Sequence, residues 1–445
     1  MKSGGRKTEV RGQRAEGRGR KSEVRGQCLR PPTSDLRPLC FICAALAAAG
    51  GSASAQDALR LSLSCQSAAS QPRLELENQP YTVRWGDLKV LASASLDGEW
   101  NDNVNLAHAD PQQDFIIRPL ANFGVFWPVT ELNALTFSLG AGYEKFVSHD
   151  QYDRPLITPG SALTWDIFTK NLRINLHDQF SYEQDPTAWG AISRTARAGG
   201  LDNTLGAMAV WDLHDVVLSF GYDHFNFVSS SSTYDYLSRA SDFLLLRAVF
   251  KVHPAATAGL ELSGGPTAYD QKLLSDNVTA SAGGFAEWQA TEVIKLLARL
   301  GFYQYSFSNE GAAAGSGDQS GYYASLNLSY RPSPKISYSV EGGHEAFMGN
   351  SSALTDQYYG TASVNWRLIE HISLSTSVRY ETATQPIGPF RDNYDRVSAN
   401  LRLSCPIKQK LTASLNYRYW LKTSGLSQFL DYEQNCLTLH PAYQF

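Results

Sequence analysis

Charged side chains recur at two-residue spacing inside segments whose other positions are oily. Asp97 and Glu99 form one such pair. Arg173, His177 and Glu183 share one phase, and Arg299, Arg379, Arg396, Arg402 and Arg418 stand at equivalent positions further along. In an extended chain this pattern puts charge on one face and oil on the other. A face of opposed charges can order water and select ions at a constriction. Bond-breaking chemistry needs a different grouping. His177, His344 and His440 lie on separate segments without a matching Ser, so the Ser, His and Asn or Asp set of a lipase-like membrane enzyme is not assembled, and no catalytic residue is expected. Asp102, Asp110 and Asp114 offer oxygen ligands, but their spacing fits no Ca²⁺ loop, and no Cys/His spacing suits a metal. The expectation is therefore no metal and no cofactor.

The elements that would position these charges are strands. Leu411, Ala413, Leu415, Tyr417 and Tyr419 alternate with Thr412, Ser414, Asn416 and Arg418; similar alternation occurs around 322–330, 372–380 and 397–404. Short connections fall near 128–133, 170–171, 214–215, 253–255, 291–293, 332–334, 368–371 and 407–410. Longer polar stretches lie between them, at 102–113, 147–160, 185–200, 229–241, 270–276, 309–318, 349–354, 382–392 and 422–429. Strict alternation of short and long is the pattern of a transmembrane antiparallel up-and-down β-barrel, with short periplasmic turns and longer external loops. Counting segments gives 16–18 strands, with those around 161–169 and 277–290 the weakest.

Aromatic residues fall where interface belts would place them. Trp127, Trp211, Trp288 and Trp366 precede short turns and read as the periplasmic girdle, together with Phe250 and Tyr330. Trp100, Tyr143, Phe146, Tyr182, Phe307, Tyr380 and Trp420 read as the outer one. Asp178 and His224 break the oily phase of their strands, which marks a bulge, a register change or a subunit contact.

The two ends fit the same picture. The chain closes on Leu437, Leu439, Tyr443 and Phe445 at two-residue spacing, which resembles the closing strand of outer-membrane barrels. Tyr443 and Phe445 would then serve as the signal read by the barrel-insertion machinery. Residues 39–55 combine an apolar run, preceding Arg residues and an Ala-x-Ala site, the form of a secretory signal peptide cut before Gln56. Residues 1–38 carry a charged repeat, 5–13 recurring at 19–27, and are expected to be disordered or upstream sequence read through from a misplaced start. Residues 56–79 form a polar periplasmic leader, and 80–445 the barrel.

The chain has 39 basic and 43 acidic residues. Residues 1–55 hold 11 and 4 of them, which leaves 28 and 39 and a balance near −11. No nucleic acid is expected as a partner, because the basic cluster lies in the part removed. Cys65, Cys405 and Cys436 remain after cleavage. Cys405 and Cys436 fall on opposite faces, so no disulfide is expected between them.

Trp100, Asn101, Asp102, Asn103 and Val104, then Asp114 to Pro119, then Trp127 and Pro128, together resemble the first hairpin of the β-barrel porin-2 family. The resemblance extends loosely over 81–445. It implies an outer-membrane barrel and a pore, with a link in some members to exopolysaccharide export, and it supplies no catalytic residue. The leading expectation is a passive channel for small hydrophilic solutes or the outer-membrane component of an export system. An outer-membrane enzyme and a closed structural or adhesive barrel are the alternatives. A soluble propeller would leave both Phe445 and the loop asymmetry unexplained. Outer-membrane lipids surround such a chain, and a homo-oligomer is open. For the interior there are two readings. Arg379, Arg402 and Arg418 form a basic wall favouring anionic or polyol solutes, or the interior charges pair and fill the barrel. Pairing is the default of the two.

Overall fold

The computed structural model describes residues 81–308, 317–348, 354–387 and 390–445. The repeat, the signal peptide, the leader and Cys65 lie outside them. Nineteen strands follow one another: β1 (Val83–Trp85), β2 (Leu88–Asn101), β3 (Asp114–Thr130), β4 (Asn133–Phe146), β5 (Arg154–Phe168), β6 (Leu172–Glu183), β7 (Gly200–Asp212), β8 (Val216–Ser229), β9 (Arg239–His253), β10 (Ala256–Tyr269), β11 (Asn277–Thr291), β12 (Ile294–Phe307), β13 (Gln319–Ser333), β14 (Ile336–Met348), β15 (Leu354–Ile369), β16 (Ile372–Ile387), β17 (Phe390–Lys408), β18 (Leu411–Ser424) and β19 (Tyr432–Gln444). Strands β2 to β19 each pair antiparallel with the next, and β19 pairs with β2, so eighteen strands close a barrel. Closure satisfies the backbone groups that lipid cannot.

The outer wall is oily. Leu96, Phe123, Leu205, Phe220, Leu260, Phe302 and Leu401 are all exposed at alternate positions, Phe302 at 69%. An apolar band around a closed antiparallel barrel is built to lie in lipid, and the protein is an outer-membrane β-barrel. The eight turns at one end hold two or three residues each, as expected. Trp127, Trp211, Trp288 and Trp366 are exposed within four residues of those turns.

At the other end some strands run further than their sequences suggested. β5 begins at Arg154, not after Gly160, because Arg154 turns inward to bond Glu144. Residues 158–160 form a bulge in the β5–β6 ladder, with Gly160 at a φ of +92° that other residues rarely adopt. β16 and β17 extend to Ile387 and from Phe390, through what reads as a loop at 382–392. Ala383, Gln385, Asp392 and Tyr394 are buried there and hold the ladder together.

Three expected girdle residues face the lumen instead. Trp420 shares its phase with Arg418 and carries the Arg396 guanidinium 4.9 Å above its ring. Phe146 packs with Val104, Ile116 and Tyr152. Phe307 stacks on Tyr305, in phase with Arg299. Strand parity decides the side, and proximity to a strand end does not. Trp85, which no girdle reading included, is 82% exposed on β1, beside the periplasmic end of β2.

The seam between β19 and β2 is thinner than the other joints. Its ladder lapses at His440 and Pro441, since proline has no N–H to give. Side chains cross it instead: His440 bonds Asp97, and Thr438 donates to Glu99 at 3.0 Å. Below the end of β19, β1 takes over the free edge of β2. Tyr443 and Phe445 face outward with ring centroids 5.4 Å apart, and the Phe445 N–H bonds the Ala92 carbonyl at 3.0 Å.

Candidate functional site

The connection between β6 and β7, residues 184–199, reads as an external loop, yet it folds into the barrel. Its start is fixed locally: Asp185 accepts the Thr187 N–H at 2.9 Å and opens a 3-10 turn over Pro186–Ala188. Its end needs Gly199, where φ is +137° and a Cβ would stand 2.3 Å from the Glu183 carbonyl. Between them Trp189, Ile192 and Ala198 are buried in an apolar cluster with Phe225, Phe227, Leu237, Tyr269 and other lumen-facing rings. Trp189 and Phe227 lie 5.5 Å apart, ring to ring.

The loop backbone, away from any ladder, needs donors for its carbonyls. The barrel wall supplies them. Arg154 donates to Gln184 at 2.9 Å and Ala196 at 3.0 Å; Arg396 donates to Thr187 at 3.0 Å; Lys422 donates to Ala191 at 3.0 Å and to the Ser193 hydroxyl at 3.2 Å. Ser193 in turn donates to Leu430 at 2.7 Å. Five strands (β19 and β2 to β5) separate β18 from β6, so the loop lies as a chord across part of the lumen.

Beneath the chord runs a chain of alternating charge. Arg418 bonds Glu99 at 2.8 Å, Glu99 bonds Arg118 at 2.9 Å, Arg118 bonds Glu144, and Glu144 bonds Arg154. These groups and Asp185 line a cavity of about 40 Å³, together with Asn101, Thr187 and Gln434, enough for a water or two. Removing one partner of such a buried pair strands the other and costs about 3–5 kcal/mol.

Of the eight lumen candidates, seven have an ionisable partner. Besides Glu99 and Arg418, Asp97 meets His440, Arg173 meets Asp166 at 2.8 Å, Arg299 meets Glu261 at 2.8 Å, Arg379 meets Glu381 at 2.9 Å, and Arg396 meets Glu381. Arg402 is the exception: it has no ion pair or hydrogen bond among the described residues. The sequence reading missed Arg118, Glu144, Arg154, Glu381 and Lys422. Their phase on β3, β4, β5, β16 and β18 was a usable signal.

Asp178 and His224 sit in unbroken register, so neither a bulge nor a slip explains them. Both face outward with polar partners: Asn203 donates to Asp178 at 2.6 Å, and His224 and Tyr222 reach Asp242 at 2.8 and 2.6 Å. Two of the three first-loop acids are occupied internally, and Asp110 is exposed. Asp114 accepts the N–H groups of residues 147–149, and Asp102 bonds Asn435. Outside the membrane-spanning strands, Asp153 sits between loop and wall. Its hydrogen bond from Lys145 holds its carboxyl below the usual range.

No protein-family model matches the chain, and no curated protein matches it. Among solved structures it is similar to Pseudomonas aeruginosa OccK5 (OpdH), at 10% identity and a TM-score of 0.47, covering 80% of this chain and 98% of that one. It is also similar to Pseudomonas aeruginosa OpdK, solved with vanillate, at 9% identity and a TM-score of 0.47, covering 80% and 99%. Against Pseudomonas aeruginosa OccK3 (OpdO) the values are 13%, 0.46, 80% and 95%. Likeness at this level adds nothing to the barrel already evident in the strand ladder.

Proposed function

We propose that the protein is a porin-like channel through which small hydrophilic solutes cross the outer membrane, narrowed by residues 184–199. The observation that carries this reading is the bonding of that loop to Arg154, Arg396 and Lys422 inside the lumen. An adhesive loop would point outward, and a structural barrel has no need to line a throat with alternating charge. The narrowing favours small solutes over a polymer, since an exported polysaccharide would require the loop to leave the lumen. Kinship with the β-barrel porin-2 family belongs to the same proposal, resting on the first-hairpin residues. Tyr443 and Phe445 are its insertion signal, exposed on the last strand. The test is planar-bilayer recording of the protein folded in detergent, with heat-dependent gel mobility to verify folding. Discrete conductance steps are expected. A heat-modifiable barrel that stays silent would overturn the channel.

A further inference from the structure

Resting on the channel reading, the structure assigns the first station for a solute's charge below the throat to Arg402, and its hydroxyls to the wall around it. We infer that the solutes preferred are small hydroxylated carboxylates of the sugar-acid type. Arg402 lies on β17 on the periplasmic side of Arg396, whose guanidinium holds the loop. Its cross-strand neighbours are Ser375 on β16 and Asn416 on β18. Asn400 and Ser404 flank it on its own strand, and Ser377 and Ser414 lie diagonally beside it.

Two things separate this patch from the rest of the lumen. First, the patch supplies no carboxylate to Arg402, whereas the other lumen-facing candidates have ionisable partners. A half-buried guanidinium keeps its five N–H donors, and its fork matches a carboxylate in two bonds. Second, the patch has unused polar atoms. The side chains of Ser375, Ser377, Asn400, Ser404 and Asn416 are half-buried and make no hydrogen bond among the described residues. Polar groups left open to the lumen call for water or a solute group. Serine hydroxyls and asparagine amides offer both donors and acceptors, the complement of a polyol. An apolar acid would use the guanidinium and leave the wall unsatisfied; a neutral sugar would use the wall and leave the charge.

The test is bilayer recording with potassium chloride, adding gluconate, acetate or glucose as probes, on the wild-type protein and on Arg402→Lys, Arg402→Gln, Arg402→Glu and Asn416→Ala. All are first checked for heat-modifiable mobility. In the wild type, gluconate should reduce the chloride current severalfold more than acetate or glucose. Arg402→Gln should abolish that preference, and Arg402→Glu should shift the reversal potential toward cation selectivity. Arg402→Lys should restore chloride selectivity while recovering only part of the gluconate effect, because a point charge lacks the fork. Asn416→Ala should weaken the gluconate effect and leave chloride selectivity intact. Conducting channels in which Arg402→Gln behaves like wild type would overturn the charge station. Channels that treat gluconate and acetate alike would overturn the hydroxylated-acid assignment. A folded protein without current would overturn the channel itself, and this inference with it.

Discussion

The two flanks of residues 184–199 are held by different physics. On one flank, Arg154, Arg396 and Lys422 donate to loop carbonyls. On the other, Trp189, Ile192 and Ala198 are buried in the apolar cluster. Hydrogen bonds are directional and fix the loop's register against the wall; packing is non-directional and fixes its depth. The difference accounts for a buried cation that would otherwise look expensive. Lys422 is fully buried and has no carboxylate partner among the described residues, yet it answers a carbonyl, a hydroxyl and the Tyr394 ring at 4.9 Å.

The largest expected effect comes from breaking the packed flank. Trp189→Ala should remove about 3–5 kcal/mol of packing. Single-channel currents should rise and become noisier, and amide exchange over 184–199 should quicken, while the barrel keeps its heat-modifiable mobility. Unchanged current and exchange would mean that the apolar flank does not hold the loop.

Breaking the polar flank should do less. Lys422→Met leaves the Ala191 carbonyl without its donor, at a cost of about 1–3 kcal/mol. The expected signature is a smaller gain in conductance. Ser193→Ala should cost about 0.5–1.5 kcal/mol. Because Ser193 and Lys422 share a bond, the double variant should cost less than the sum, measured by thermal unfolding in detergent.

The smallest effect concerns the neighbouring loop, on which Arg197 leans through the carbonyls of Gln151 and Asp153. The Asp153 carboxyl is depressed in the folded state, so its contribution is present above the unfolded value of about 3.9 and is lost as pH falls through the folded one. The Phe146 amide, which donates to Asp153 at 2.8 Å, should keep its chemical shift from neutral pH down to about 4 and move only below that. Movement already at pH 6 would contradict the assignment.

The strands, the turns and their phase were legible because a barrel in lipid repeats one rule at every second residue. The lumen candidates followed from the same rule, and so would Trp420, had its phase with Arg418 outweighed its place near a strand end. The inward loop was not legible. Its only large apolar residues are Trp189 and Ile192, set among small and polar ones, and its partners Arg396 and Lys422 lie more than two hundred residues away, on strands whose distance across the lumen no local pattern records. The eightfold recurrence of short turns says how many strands there are. It does not say which long connection bends inward.

The meeting of β1 and β19 along one strand has a topological consequence. Thr82 bonds the Val90 carbonyl and Phe445 bonds that of Ala92, so both ends of the described barrel are moored side by side on β2. The wall is thus a ring cut once. A permuted gene that tethers Phe445 to Tyr81 and opens instead at the two-residue turn between β9 and β10 would keep the neighbour relations of all eighteen strands. It would also move the place where the ring must be sewn shut from a joint of seven paired positions, broken at Pro441, to one of twelve, broken at Pro266.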